Sequence, residues 1–202
     1  HGLWWKQTFY EDSARVPLVM SWPGRLESGS HCERVVSQLD LNATMLDALD
    51  CPALPNSPGR SLLPLLENAD SPWEDVAFSE FCLDAAGSGG PFPNEGVYQR
   101  MARRGAWKLI YYHGFPCQLF NLEEDPREMA DRAGDASCRG IVDELTAEVL
   151  RDWNPQTVAA QMARKRADAP ILSGWARHTS PADQYRWDLR PEMDYLDEDQ
   201  MA

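Results

Sequence analysis

Positive charge is scarce in this sequence: 19 Lys and Arg stand against 32 Asp and Glu, a formal net charge of -13 over 202 residues. That balance excludes a nucleic-acid backbone or an anionic membrane surface as a general partner, yet leaves room for one basic pocket around a small anion. Also missing is any run of the roughly 18 to 20 apolar residues needed to span a bilayer. The opening His1-Gly2-Leu3-Trp4-Trp5-Lys6 lacks the charged head and apolar stretch of a signal peptide. Cys32, Cys51, Cys82, Cys117 and Cys138 are scattered and form no C-x-x-C pair, so neither a zinc knuckle nor a redox dithiol is expected. They read as free structural thiols in a reducing compartment, which favours cytoplasmic over periplasmic residence. Disulfides between some of them are the alternative, because spacing does not report distance.

Other chemistry is excluded in the same way. His1, His31, His113 and His178 form no metal-ligand pattern, and neither Cys32 nor Cys117 completes one. No serine sits in a G-x-S-x-G elbow. The loop Ala85 to Pro91 is glycine-rich but has no following Lys, so it is not a phosphate cradle. Asp125-Pro126-Arg127-Glu128 reads as a turn leading toward a helix rather than an acid-base centre.

What is present is the composition of a folded domain, with 43% hydrophobic, 10% aromatic and 25% charged residues. Eight tryptophans serve either as core or as platforms lining pockets and subunit contacts. Val16 to Trp22 has the composition of a short buried strand, entered at Pro17 and closed by Pro23-Gly24. Leu39, Leu41, Met45, Leu46 and Leu49 recur at helical spacing behind a cap at Asp40 or Asn42. After the Pro52–Gly59 linker, Leu62 to Leu66 makes a one-turn apolar anchor, and Val76 to Cys82 returns to strand composition. Val97 to Arg103, Trp107 to Tyr112 and Gln118 to Leu122 follow at short intervals, which predicts an antiparallel meander. Ile141, Leu145 and Val149 mark a helix, and Asn154-Pro155 ends it and starts another that carries Arg164-Lys165-Arg166. The tail from His178 is polar and acidic.

Lys6, Glu11 and Arg15 form a mixed charge group among aromatics. An ammonium neutralises a tetrahedral anion and a guanidinium offers a rigid donor fork. Surface charges or a structural Arg–Glu pair would account for the same letters.

His1 to Glu11 followed by Ala14-Arg15-Val16-Pro17-Leu18 resembles the passage beyond the metal-binding motif of the sulfatase family. The resemblance continues through Asp40-Leu41, Gly59-Arg60-Ser61-Leu62, Phe78-Ser79-Glu80, Arg103 to Ile110, and Gln118-Leu119-Phe120-Asn121-Leu122-Glu123-Glu124-Asp125-Pro126, covering residues 1 to about 155. The tail, with Trp153-Asn154-Pro155 and Trp187-Asp188-Leu189-Arg190-Pro191, is similar to that of bacterial choline-sulfatase-like members.

The resemblance implies an α/β, alkaline-phosphatase-like fold, of which this chain is the C-terminal part, with a small antiparallel sheet and C-terminal helices. Residues 1–82 would end the main α/β domain, 83–155 would form a C-terminal subdomain, and 156–202 would be a helix and acidic tail. It implies hydrolysis of a sulfate ester to an alcohol and sulfate by a formylglycine, with calcium as cofactor. Lys6 matches the family's sulfate-contacting lysine, which makes it the catalytic and substrate-binding candidate. Glu11 and Arg15 are supporting residues near that site. Trp and acidic residues of the tail would either line a cationic-substrate pocket or pack subunits of a homo-oligomer.

The sequence contains no C-x-P-x-R or S-x-P-x-R motif and none of the upstream acidic clusters, so the nucleophile and main calcium ligands are expected outside it. Opening within a motif, it is expected to be a cut from a longer chain, whose N-terminal part is then its first partner, and to be inactive alone. Alternatives are a phosphonate or phosphate monoester hydrolase of the same superfamily and a non-catalytic interaction or oligomerisation module.

Overall fold

The computed structural model describes residues 8–83 and 96–179. Its centre is a four-stranded antiparallel sheet in the order β1 (Val76–Leu83), β2 (Val97–Arg104), β3 (Trp107–Tyr112) and β4 (Gln118–Asn121), in which the predicted three-stranded meander is β2–β4 and the strand expected over Val76 to Cys82 adds to its edge. Sequence alternation sorts the strands onto two covered faces. Ala102, Leu109 and Leu119 join Cys138, Leu145, Val149 and Trp153 in one cluster, while Met101, Ile110 and Phe120 join Phe9 and Leu122 in the other. Burial on both sides explains why β3 reads as a nearly continuous apolar run, Trp-Lys-Leu-Ile-Tyr-Tyr.

The chain approaches this sheet through Phe9 and a single helical turn, α1 (Glu11–Ala14). The strand expected over Val16 to Trp22 is absent: these residues are neither helix nor strand up to a turn at Pro23. Val16, Leu18 and Val19 are 49%, 43% and 90% exposed. A strand needs a neighbour for its backbone donors and acceptors, and none of β1–β4 takes this segment.

Helix α2 (Gln38–Ala48) forms as predicted, but its cap and buried face differ. Ser37 is the N-cap, and Asp40 three residues on reaches back to the Ser37 N–H at 2.8 Å, a capping box. The buried residues are Asp40 and Thr44, whereas Leu39, Met45 and Leu49 are exposed. The polar face turns inward because it receives Gly59 to Leu62. Asp40 Oδ1 accepts the Arg60 N–H at 2.9 Å, Thr44 Oγ1 accepts the Leu62 N–H at 2.9 Å, and the Ser61 hydroxyl meets Asp47 at 2.5 Å. This latch delivers α3 (Leu63–Glu67), whose Leu63 and Leu65 are buried as an apolar anchor.

Beyond β4, a short 3-10 turn over Ala136–Cys138 opens α4 (Arg139–Leu150), which lays Leu145 and Val149 on the sheet. Arg100 in β2 finishes this helix. Its Nη1 donates to the Val149 carbonyl at 2.8 Å and to Asp152 at 2.5 Å, and the guanidinium lies over Phe78 at 4.4 Å. Asn154 Oδ1 then caps α5 (Pro155–Thr179) by accepting the Thr157 N–H at 2.9 Å, with proline in the first turn as predicted.

The chain divides into two compact units, residues 1–161 and 162–202. In the second, α5 continues through Pro170 and exposes Ile171, Leu172 and Trp175. The Ala85–Pro91 loop and the tail from residue 180 lie outside the described residues. Cys32, Cys51, Cys82, Cys117 and Cys138 are free. Among the described residues no helix is long and apolar enough to cross a membrane.

Candidate functional site

The face of the sheet that meets Phe9 and α1 packs Met101, Ile110 and Phe120 beside a group of charged side chains. Lys108 shares this face with Ile110, because residues two apart on a strand point the same way, and Arg103 stands directly across from it on β2. Two cations side by side on neighbouring strands repel. Glu11 resolves the conflict: one carboxylate oxygen lies 2.6 Å from Lys108 Nζ and the other 3.0 Å from Arg103 Nη1.

A second carboxylate completes the cluster. Glu128 Oε1 lies 2.7 Å from Lys108 Nζ, with side-chain exposures of 2% and 0%. Its Oε2 accepts the Glu11 backbone N–H at 2.6 Å, and Lys108 Nζ also donates to the Phe9 carbonyl at 2.8 Å. The two cations and two carboxylates balance formally, which such a dry position requires. Glu128 adopts φ 55°, a left-handed conformation that costs a side-chain-bearing residue roughly 1–3 kcal/mol. The Glu128 N–H donates to the Asp125 carbonyl at 3.1 Å, closing the Asp125–Glu128 turn. That segment is thus a turn, as expected, but one that delivers a buried carboxylate.

Around the cluster, the Tyr10 ring meets Phe120 edge-on at 6.0 Å, and the Tyr112 hydroxyl donates to Gln118 at 2.8 Å. Burial, followed by the neighbouring Tyr10 and Asp131, pushes the Tyr112 phenol up to about 12. Beside α1 a cavity of about 280 Å³ is lined by Thr8, Phe9, Ser13, Gln38, Ser79 and Glu80, among others. It brings together two motif stretches far apart in sequence.

Of the three candidate site residues, Lys6 lies outside the described residues. Glu11 turns to the sheet, and Arg15 is exposed at the end of α1, where its backbone N–H bonds the Glu11 carbonyl. Lys108, Arg103 and Glu128 were not singled out in the sequence. Strand parity was the available signal, since it puts a lysine among buried apolar positions. No group of His, Cys, Asp or Glu among the described residues is arranged to hold a metal ion. The cluster's carboxylates do not fit calcium either, because both are engaged by Lys108.

This arrangement of a small antiparallel sheet with C-terminal helices has counterparts among solved structures. BT4656, solved in complex with its substrate D-glucosamine-2-N,6-O-disulfate, superimposes with a TM-score of 0.58 at 23% identity over 73% of this chain and 31% of its own. The family described as N-sulphoglucosamine sulphohydrolase, C-terminal, matches residues 1–154. This chain belongs to the sulfatase family, as a C-terminal domain of it. Choline-sulfatase of Rhizobium meliloti (strain 1021) is 30% identical over 198 residues, 94% of this chain. Human arylsulfatase K is 36% identical over 146 residues, 66% of this chain. The chain spans 35% of the first relative's length and 25% of the second's. The phosphonate monoester hydrolase of Agrobacterium radiobacter is 27% identical with a TM-score of 0.50, over 59% of this chain and 25% of its own.

Proposed function

We propose that the whole protein hydrolyses a sulfate ester to an alcohol and sulfate, and that this chain supplies Lys6 as the cation that contacts the sulfuryl oxygens. The observation that carries this reading is the sulphohydrolase-family match over residues 1–154, which includes the Lys6 passage. The negative charge spread over those oxygens during attack at sulfur and departure of the alcohol is what a fixed ammonium in a partly dry site stabilises. The formylglycine nucleophile and the calcium ligands are assigned to parts of the protein outside this chain. In this reading residues 1–82 end the main α/β domain, 83–155 form the subdomain behind it, and 156–202 offer a surface for self-association. The exposed Ile171, Leu172 and Trp175 support that last assignment.

The likeness to a phosphonate monoester hydrolase favours a second reading, because tetrahedral phosphorus and sulfur esters make similar demands on a lysine. Turnover by the whole protein of an aryl sulfate, choline sulfate and an aryl phosphonate monoester separates the two. The proposal expects kcat/KM to favour a sulfate ester and residues 1–202 alone to release no sulfate. Preference for the phosphonate would replace it with the second reading.

A further inference from the structure

The buried charge cluster does more than fill the sheet face. Burying Lys108 and Glu128, with Glu11 and Arg103 half-buried beside them, is costly, and apolar side chains in place of the whole cluster would pack the same surface without that cost. The cluster's bonds converge on three consecutive residues. Lys108 donates to the Phe9 carbonyl, Glu128 accepts the Glu11 N–H, and Lys108 and Arg103 together engage both oxygens of Glu11. Between them the Tyr10 ring rests on Phe120.

Apolar packing alone would let this segment slide along the face, whereas hydrogen bonds of 2.6 to 2.8 Å in a dry site fix its register and direction. Helix α1 cannot fix them itself, since one isolated turn of four residues is unstable without outside contacts. Lys6 precedes Phe9 by three residues. The anchored segment and the proposed sulfate-contacting lysine are therefore separated by only two residues of chain.

We infer that Lys108 and Glu128 are positioning residues for Lys6: bonded to Phe9 and Glu11, they hold the chain so that the Lys6 ammonium meets the sulfuryl group. This rests on the proposed role of Lys6 and adds to it that the C-terminal sheet tunes turnover through a buried ion cluster. Buried at 0% and 2% exposure, the two act through the segment they hold.

A double-mutant cycle in the whole protein tests this, with kcat and KM for an activated aryl sulfate measured for wild type, Lys6→Ala, Glu128→Gln and the double variant. Glu128→Gln keeps the shape of the side chain and removes its charge. The expected result is a fall in kcat of about ten-fold for Glu128→Gln in the wild-type background, given how steeply rates depend on placement, but less than two-fold when Lys6 is already alanine. An equal fold-loss in both backgrounds would overturn the inference alone, because Glu128 would then act independently of Lys6. Wild-type turnover by Lys6→Ala would overturn the proposed role of Lys6 and this inference with it. Lys108→Arg, which retains the charge and shifts the donor, is run through the same cycle and decides the matter if Glu128→Gln does not fold.

Discussion

Lys108 and Glu128 meet at 2.7 Å inside the domain, with side-chain exposures of 0% and 2%. They join the start of β3 to a turn twenty residues later. The lysine belongs equally to the Glu11 carboxylate at 2.6 Å, so the pair also ties the chain's first described segment to the sheet.

Removing the cation leaves the Glu128 carboxylate buried beside Glu11 with the Glu11 N–H as its remaining partner and no cation against it. Lys108→Met is therefore expected to lower unfolding free energy by about 3–5 kcal/mol, the range for breaking a buried pair from one side. Adding Glu128→Gln should restore part of that loss, because the stranded charge disappears. Urea unfolding of the single and double variants checks it. A double variant no more stable than Lys108→Met would contradict the pairing.

The latch on α2 depends on a close approach. A Cβ on Gly59 would lie 2.2 Å from the Leu39 carbonyl oxygen, a backbone atom that cannot swing aside. Gly59→Ala is expected to cost about 1–3 kcal/mol, as overpacking does, by pushing Arg60 and Leu62 off Asp40 and Thr44. Hydrogen exchange at the Arg60 and Leu62 amides should rise with the loss of stability. Unchanged protection there would mean that the segment tolerates the methyl group.

The Arg100 guanidinium beside Asp152 holds its carboxyl below the ordinary 3.8, first through the hydrogen bond and then, against some burial cost, through charge attraction. A depressed carboxylate contributes stability that is present above the unfolded value and lost as pH falls through the native one. The protein is therefore expected to lose stability from Asp152 below about pH 3.8, and Asp152→Asn should flatten that limb of the curve. Since Asp152 is 62% exposed, the contribution is small and declines with salt. Superimposable acid limbs for wild type and variant at low salt would refute it.

The meander and its covering helix were legible because alternation, short turns and a four-residue apolar repeat at Ile141, Leu145 and Val149 are local signals. The inward face of α2 was not. Asp40 and Thr44 are buried because the backbone of Arg60 and Leu62 needs acceptors, a demand set by a segment some twenty residues away. Val16 to Trp22 misled for the opposite reason, since strand composition is readable without the neighbour that would make it a strand. Glu11 was singled out beside Lys6 and Arg15. Its bonding partners are Lys108, Arg103 and Glu128, the last meeting its N–H across 117 residues, a separation no spacing rule covers.

The most direct measurement is kcat/KM for an aryl sulfate with the whole protein and its Lys6→Ala variant, both checked by circular dichroism for folding. Loss of a preorganised cation at the sulfuryl oxygens predicts a fall on the order of 100-fold, about 3 kcal/mol in the barrier. Near-wild-type turnover by the folded variant would contradict the account, because an ordinary surface lysine contributes less than about 1 kcal/mol to a charge pair.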